Sequence, residues 1–248
     1  MLIDTHCHLE KDILSILERA EQMDVKKVIV SICEKEEIKK FKQNDNEAIF
    51  YTLGFHPSEA LKVIDEDINL LKQKIIENKK VVGIGEIGLD YHYGKDDIDS
   101  QKTLFIRQLQ IAVALKMPVI IHSRDATKDT IDILRKYKVK GIIHCFSGSV
   151  ETAKIYCEMG FLLGIGGVLT FKNSGLKEVV KALPLKSFVL ETDSPYLAPV
   201  PYRGSENEPK NIAIIAEEFS IIRNVSLEEI AYVTTKNAVQ LFDLPFII

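Results

Sequence analysis

Six residues of the 248-residue chain have the types and placement to hold divalent cations: His6, His8, Glu86, His122, His144 and Asp193. Imidazole nitrogens and carboxylate oxygens without a cysteine suit zinc, manganese, nickel, cobalt or magnesium in an open catalytic site better than a closed structural zinc site. In His6-Cys7-His8 an extended backbone turns alternate side chains the same way. Both imidazoles can then reach one cation while Cys7 packs elsewhere. Glu86 offers one carboxylate oxygen to each of two metal ions, which in such centres sit roughly 3.5–4 Å apart. Two cations can hold a bridging hydroxide as nucleophile and offset charge on the attacking and leaving oxygens of a phosphodiester, so the reaction class expected is hydrolysis. Taken singly, each residue has a plainer explanation: a strand-end histidine is more often hydrogen-bonded structure, and a lone buried glutamate is an ion-pair partner. What favours the metal reading is recurrence along the chain.

That recurrence follows from the elements that deliver the residues. Apolar, β-branched runs at 27–32, 48–54, 81–84, 118–121, 141–143, 161–167 and from 188 read as buried parallel strands, with a short one at 2–5. The last is expected to run through residues 189–195 and to end in Asp193, with Glu191 and Asp193 alternating on one face. Between the strands lie helical patterns at 11–24, 34–43, 66–78, 99–116, 125–137, 149–159 and 174–182, with two more at 209–223 and 226–242. Strand–helix alternation implies parallel pairing with right-handed crossovers. Eight such units at this length favour an α/β fold of the (β/α)8 TIM-barrel class, with an open doubly wound sheet as runner-up. The candidate ligands, together with His56, fall at or just past strand ends, where barrel active sites form. His92 is the exception among the histidines. No linker interrupts the pattern, so one domain over residues 1–248 is expected. The stretch 194–208, rich in proline and polar residues, is expected to lie over the strand ends.

Composition removes other classes. Hydrophobic residues make up 46% of the chain, enough for a substantial core, and 32 basic against 36 acidic residues give a formal charge of −4. No global field draws such a protein to nucleic acid or to an anionic membrane, so a polyanionic substrate must be held by local cations or metals. Cys7, Cys33, Cys145 and Cys157 lack paired spacing and are expected to be free thiols in a reducing compartment. The N-terminus lacks a signal-type pattern and no apolar run approaches a membrane span. A cytoplasmic protein is expected, with no mark of an obligate protein partner. The Gly-rich segments 83–88 and 164–167 have neither a P-loop Lys-Ser/Thr nor dinucleotide spacing, and are expected to serve close packing at strand ends.

Five segments taken in order resemble the TatD family of metal-dependent deoxyribonucleases, within the amidohydrolase-like barrels. They are Ile3-Asp4-Thr5-His6-Cys7-His8-Leu9, Gly83 to Asp90, Pro118 to Ala126, Ile143 to Gly148, and Leu190 to Leu197. Each is weakly specific; the ordered set is strongly so, and it covers essentially the whole chain. The resemblance implies one metal held by His6, His8, Glu86 and Asp193 and a second by Glu86, His122 and His144, with His56 facing the substrate phosphate. DNA would be the substrate and 3′ to 5′ exonuclease digestion a possible mode. Asp193 would orient the nucleophile and take its proton, and Glu86 would share in catalysis through both metals. Arg124 is a candidate phosphate contact or an ion-pair partner of Asp125, and Arg203 a phosphate contact or a brace for its loop. Glu10 and Lys128 depart from the residues usual in the family. Two rival functions stand beside the nuclease: an amidohydrolase acting on a cyclic amide or ester, which the same ligands would serve, and a metal-stabilised scaffold that binds nucleic acid without cutting it.

Overall fold

A computed structural model describes residues 1–9, 11–92 and 97–245 of the chain. Glu10 lies outside the described residues. Eight strands alternate with helices: β1 (Leu2–Cys7), α1 (Ile13–Gln22), β2 (Val25–Ile32), α2 (Lys35–Lys40), β3 (Ile49–Leu53), α3 (Asp65–Glu77), β4 (Val81–Asp90) and α4 (Ile98–Leu115). They continue with β5 (Val119–Arg124), α5 (Thr127–Leu134), β6 (Gly141–Ile143), α6 (Val150–Glu158), β7 (Phe161–Ile165), α7 (Leu176–Ala182), β8 (Phe188–Leu190), α8 (Ile212–Arg223) and α9 (Leu227–Phe242). The strands follow chain order in one sheet, β1 to β8, which is the (β/α)8 topology expected from the alternation.

The chain divides into two compact units. The first comprises residues 1–30, 46–49 and 144–248. In it β1 pairs in parallel with β2, and β7 with β8. The first and last strands meet at their C-terminal ends. There the Thr5 hydroxyl donates to Leu190 O at 3.0 Å, and the N–H groups of Asp193 and His8 donate to His6 O and Ser194 O at 2.9 and 2.7 Å. Phe188 packs edge-on against Phe219 of α8 at 5.3 Å between ring centroids, both fully buried. Burial of each such ring stabilises by about 1.5–3 kcal/mol. Helices α6 and α9 begin at serines, Ser149 and Ser226, whose hydroxyls accept the backbone N–H groups of Thr152 and Glu229.

The second unit comprises residues 31–45 and 50–143. Here β3, β4, β5 and β6 pair in parallel in that order. Ile84, Ile87, Val119, Ile120 and Ile121 are entirely buried, which accounts for the unbroken apolar runs in these strands. Two strands run further than their apolar runs suggest. β4 passes through the glycine-rich segment to Asp90, and β5 passes His122 to Arg124, so Glu86 and His122 lie within strands and not at their ends. Gly88 allows this: its φ is +148°, and a side chain there would overlap the backbone of His122 on β5. β8 errs the other way, stopping at Leu190 where a run to residue 195 was expected. Asp193 has φ +55°, so Glu191 and Asp193 do not alternate on one extended strand.

Candidate metal centre

In the first unit β1 carries His6 on its last turn of strand and His8 just beyond it, while the loop after β8 carries Asp193. His6 Nε2, His8 Nε2 and Asp193 Oδ1 form a triangle with sides of 3.3, 3.5 and 3.7 Å. Donor atoms held at about 2.1 Å by a tetrahedral cation lie roughly 3.4 Å from one another. The triangle therefore has the size a single cation requires, and its three acceptor-capable atoms suit one chemically.

The backbone that sets this triangle is itself fastened. Asp4 is fully buried and accepts from Thr192 N–H at 3.0 Å, from the Thr192 hydroxyl at 2.5 Å and from His6 N–H at 3.3 Å, tying the His6 strand to the Asp193 loop. Burial pushes the Asp4 carboxyl up to about 8, against the opposing effect of those hydrogen bonds. Cys7 points away from the triangle: it is buried, with its thiol directed at Ile29 O, and burial raises its pKa well above the usual range. That is the packing role expected of it, and among the described residues no two cysteines are joined by a disulfide.

His144 directly follows β6, and its ring lies 4.1 Å from that of His6. Glu191, fully buried, accepts the Cys145 N–H and places Oε1 3.5 Å from His144 Nδ1. A carboxylate behind a ligating imidazole sets the ring's orientation and tautomer. The space for Glu191 comes from Gly164 on β7, where a side chain would overlap the carboxylate.

In the second unit Glu86 and Asp90, on the same face of β4, hold His122 of β5 between them. His122 Nδ1 is 2.6 Å from Glu86 Oε1, and His122 Nε2 is 3.1 Å from Asp90 Oδ2. Asp90 also accepts the His92 N–H at 2.9 Å. Burial raises the Asp90 carboxyl, but the hydrogen bonds from His122 and His92 and the charges of His122 and Arg124 outweigh it, and the net shift is downward. An ionised Asp90 accepting at Nε2–H leaves Nδ1, beside Glu86, as the nitrogen available to a cation. His56, His122 and Asp90 also bring one donor atom each within 4.8 Å of one another.

His56 follows β3. Its Nδ1 accepts the Ser58 N–H at 3.2 Å, which in a neutral ring puts the proton on Nε2. Nε2 stands 4.0 Å from Glu86 Oε1. Two glutamines of α4, one above the other on its buried face, fix these positions. Gln108 bonds both the N–H and the C=O of Phe55, at 2.6 and 3.0 Å, and Gln101 bonds both backbone groups of Asp90 at 2.8 Å. Neither glutamine nor Asp90 was among the expected site residues. The signal for Asp90 was its even spacing from Glu86 on one strand; for the glutamines it was their helical spacing with Leu104, Phe105 and Leu109 on one face of α4.

Of the other candidates, Arg124 is exposed at the end of β5, opposite Asp90 in register. Asp125, its expected ion-pair partner, has its carboxylate 3.2 Å from His92 Nδ1. Arg203 lies over the ring of Phe171, on the segment that follows β7, at 4.4 Å. Lys128 pairs with Asp132 on the exposed face of α5.

The model of the family described as TatD related DNase matches residues 3–243. The chain belongs to that family. It is 40% identical over 253 residues to the "uncharacterized metal-dependent hydrolase YabD" of Bacillus subtilis (strain 168), covering 98% of this chain and 99% of that one. It is 35% identical to the human protein named deoxyribonuclease TATDN3, covering 97% and 94% of the two chains. The solved structure of YJJV, a TatD homolog from Escherichia coli K12, superposes with a TM-score of 0.90 at 31% identity, covering 98% of each chain. The likeness extends over the whole (β/α)8 fold.

Proposed function

We propose that this chain is a deoxyribonuclease that hydrolyses DNA phosphodiester bonds, working from a 3′ end, with two divalent cations. Its place in the TatD family makes it a metal-dependent hydrolase acting on ester bonds. The observation that carries the metal reading is the triangle of His6, His8 and Asp193, sized for one cation. In the proposal His6, His8, Glu86 and Asp193 hold one cation, and Glu86, His122 and His144 the other. When bound, such cations lower the pKa of water and stabilise negative charge on phosphoryl oxygens.

The chain's own groups do the rest. Asp193, partly exposed beside the two imidazoles, orients the attacking water and accepts its proton. Asp90 and Glu191 keep the rings of His122 and His144 turned for metal binding. His56, with its Nε2–H outward from the Ser58 contact, donates to a phosphoryl oxygen as charge develops there. Arg124 and Arg203 are proposed to steady the more distant phosphates. The protein is proposed to act in the cytoplasm; no helix among the described residues is long and apolar enough to cross a membrane.

The test is digestion of 3′- and 5′-end-labelled single-stranded DNA with added manganese, magnesium or zinc, run beside cyclic amide and lactone substrates. Stepwise shortening from the 3′ end is the result expected. Turnover of the amide or lactone with intact DNA would transfer the same site to the rival amidohydrolase chemistry, and DNA binding without turnover would leave the scaffold.

A further inference from the structure

The residues that follow Asp193 end the strand and carry an aromatic surface that the phosphodiester chemistry does not use. Tyr196 is 62% exposed, three residues from Asp193, and its ring stands edge-on to His8 at 6.2 Å between centroids. Leu197, Val200 and Tyr202 of the same loop are also exposed. A large ring left in water beside a candidate metal ligand would ordinarily sit on a mobile loop. This loop is locked. Asn207, buried, donates from its side-chain amide to Thr192 O at 2.9 Å and to Tyr196 O at 2.8 Å. Its backbone N–H donates to Pro195 O at 2.9 Å, and the Tyr196 N–H donates to Asp193 O at 2.9 Å. Asn207 is held in turn by the Asn211 amide at 2.8 Å. One buried residue thus fixes the backbone on either side of Asp193 and of Tyr196 together, so the backbone that carries the exposed ring has a set position relative to that of Asp193.

We infer that Tyr196 is a stacking platform for the nucleobase next to the phosphate that is cut, and that it gives the enzyme its hold on single-stranded ends. The inference rests on the proposed deoxyribonuclease function and adds a contact to the base, where the other proposed contacts are to phosphates. Charge favours it. At −4 overall the protein offers a polyanion no general attraction, so a contact that does not depend on positive charge adds to what the metals and local cations hold. Base–aromatic stacking is such a contact, is tolerant of sequence, and requires an unpaired base. With the backbone beneath it already fixed, only the side-chain freedom of the ring is lost when a base covers it.

The experiment compares wild-type protein with Tyr196→Ala, Tyr196→Leu and Tyr196→Phe. Each is titrated, in the presence of manganese, against a fluorescent phosphorothioate oligonucleotide that ends either in a base or in an abasic residue. Binding is read by anisotropy. Tyr196→Ala and Tyr196→Leu are expected to weaken binding of the base-bearing end by at least about fivefold, to leave the abasic end unchanged, and Tyr196→Phe to bind as wild type. Equal losses on both ends, no loss in Tyr196→Ala, a Phe variant as weak as the Ala variant, or no binding of either end by wild type would each overturn the platform. Cleavage of the unmodified oligonucleotide on the same preparations separates the two claims. Binding that follows this pattern without any cleavage would remove the nuclease function and leave the platform. Cleavage by wild type with an unaffected Tyr196→Ala would do the reverse.

Discussion

Replacing Gln108 by Leu removes an amide whose two hydrogen bonds, to the N–H and the C=O of Phe55, are wholly buried. Leucine has nearly the same bulk, so little cavity opens; the cost comes from leaving two backbone groups buried without partners. At about 1–3 kcal/mol for each unsatisfied group, the loss is roughly 2–6 kcal/mol. In a chain of this size 1 kcal/mol moves the thermal midpoint by about 2–4 °C, so Gln108→Leu should melt roughly 4–24 °C lower. Gln110, two residues on and exposed, supplies the control, because the same substitution there should stay within about 0.5 kcal/mol of wild type. Because Phe55 precedes His56, the folded fraction of Gln108→Leu should also turn over substrate more slowly while keeping its metal. Calorimetry and denaturant titration give the stability, and turnover per folded molecule gives the rest. A Gln108→Leu variant no less stable than Gln110→Leu would show that the clamp does not hold the His56 backbone.

His56→Ala should retain its bound metal and lose roughly 10²- to 10³-fold in turnover, the scale of deleting one donor to a developing oxyanion; loss of a stoichiometric metal, measured by mass spectrometry, would make His56 a ligand instead. The metal-free protein should grow less stable as pH rises from about 4 towards 8. Asp4 holds its proton in the folded state up to about 8 and releases it near 3.8 when unfolded, so the folded form binds more protons across that window. Asp4→Asn should flatten that slope in urea titrations at successive pH values. If residues 1–248 form one cooperative domain, calorimetry of the metal-free protein should show a single transition; two transitions would assign the compact units separate stabilities.

The alternation of strands and helices was legible because parallel strands buried on both faces read as unbroken apolar runs, as Val119, Ile120 and Ile121 do. Histidine and carboxylate positions came with them, since each terminates or interrupts such a run. The limits of the strands were not legible where glycine and polar residues continue a ladder. Gly85 to Asp90 extend β4 because bare backbone is what lets β5 approach, and glycine reads in a sequence as a stop. After Leu190 the alternation of Glu191 and Asp193 resembled a strand, but Asp193 adopts a left-handed conformation, and the chain turns there. Gln101 and Gln108 share helical spacing with Leu104, Phe105 and Leu109, which turns them to the buried face of α4, but only the fold reveals that the backbone groups they meet there are those of Asp90 and Phe55.

Whether metal held by these ligands drives hydrolysis of DNA is decided by comparing wild-type and Glu86→Ala protein on one end-labelled single-stranded oligonucleotide, with bound metal counted in the same samples. Wild type should cut when a divalent cation is present and stop when it is chelated. Glu86→Ala should remain folded, bind less metal and cut slower by orders of magnitude. Cleavage by folded Glu86→Ala at the wild-type rate, or by wild type after its metal has been removed, would contradict the account.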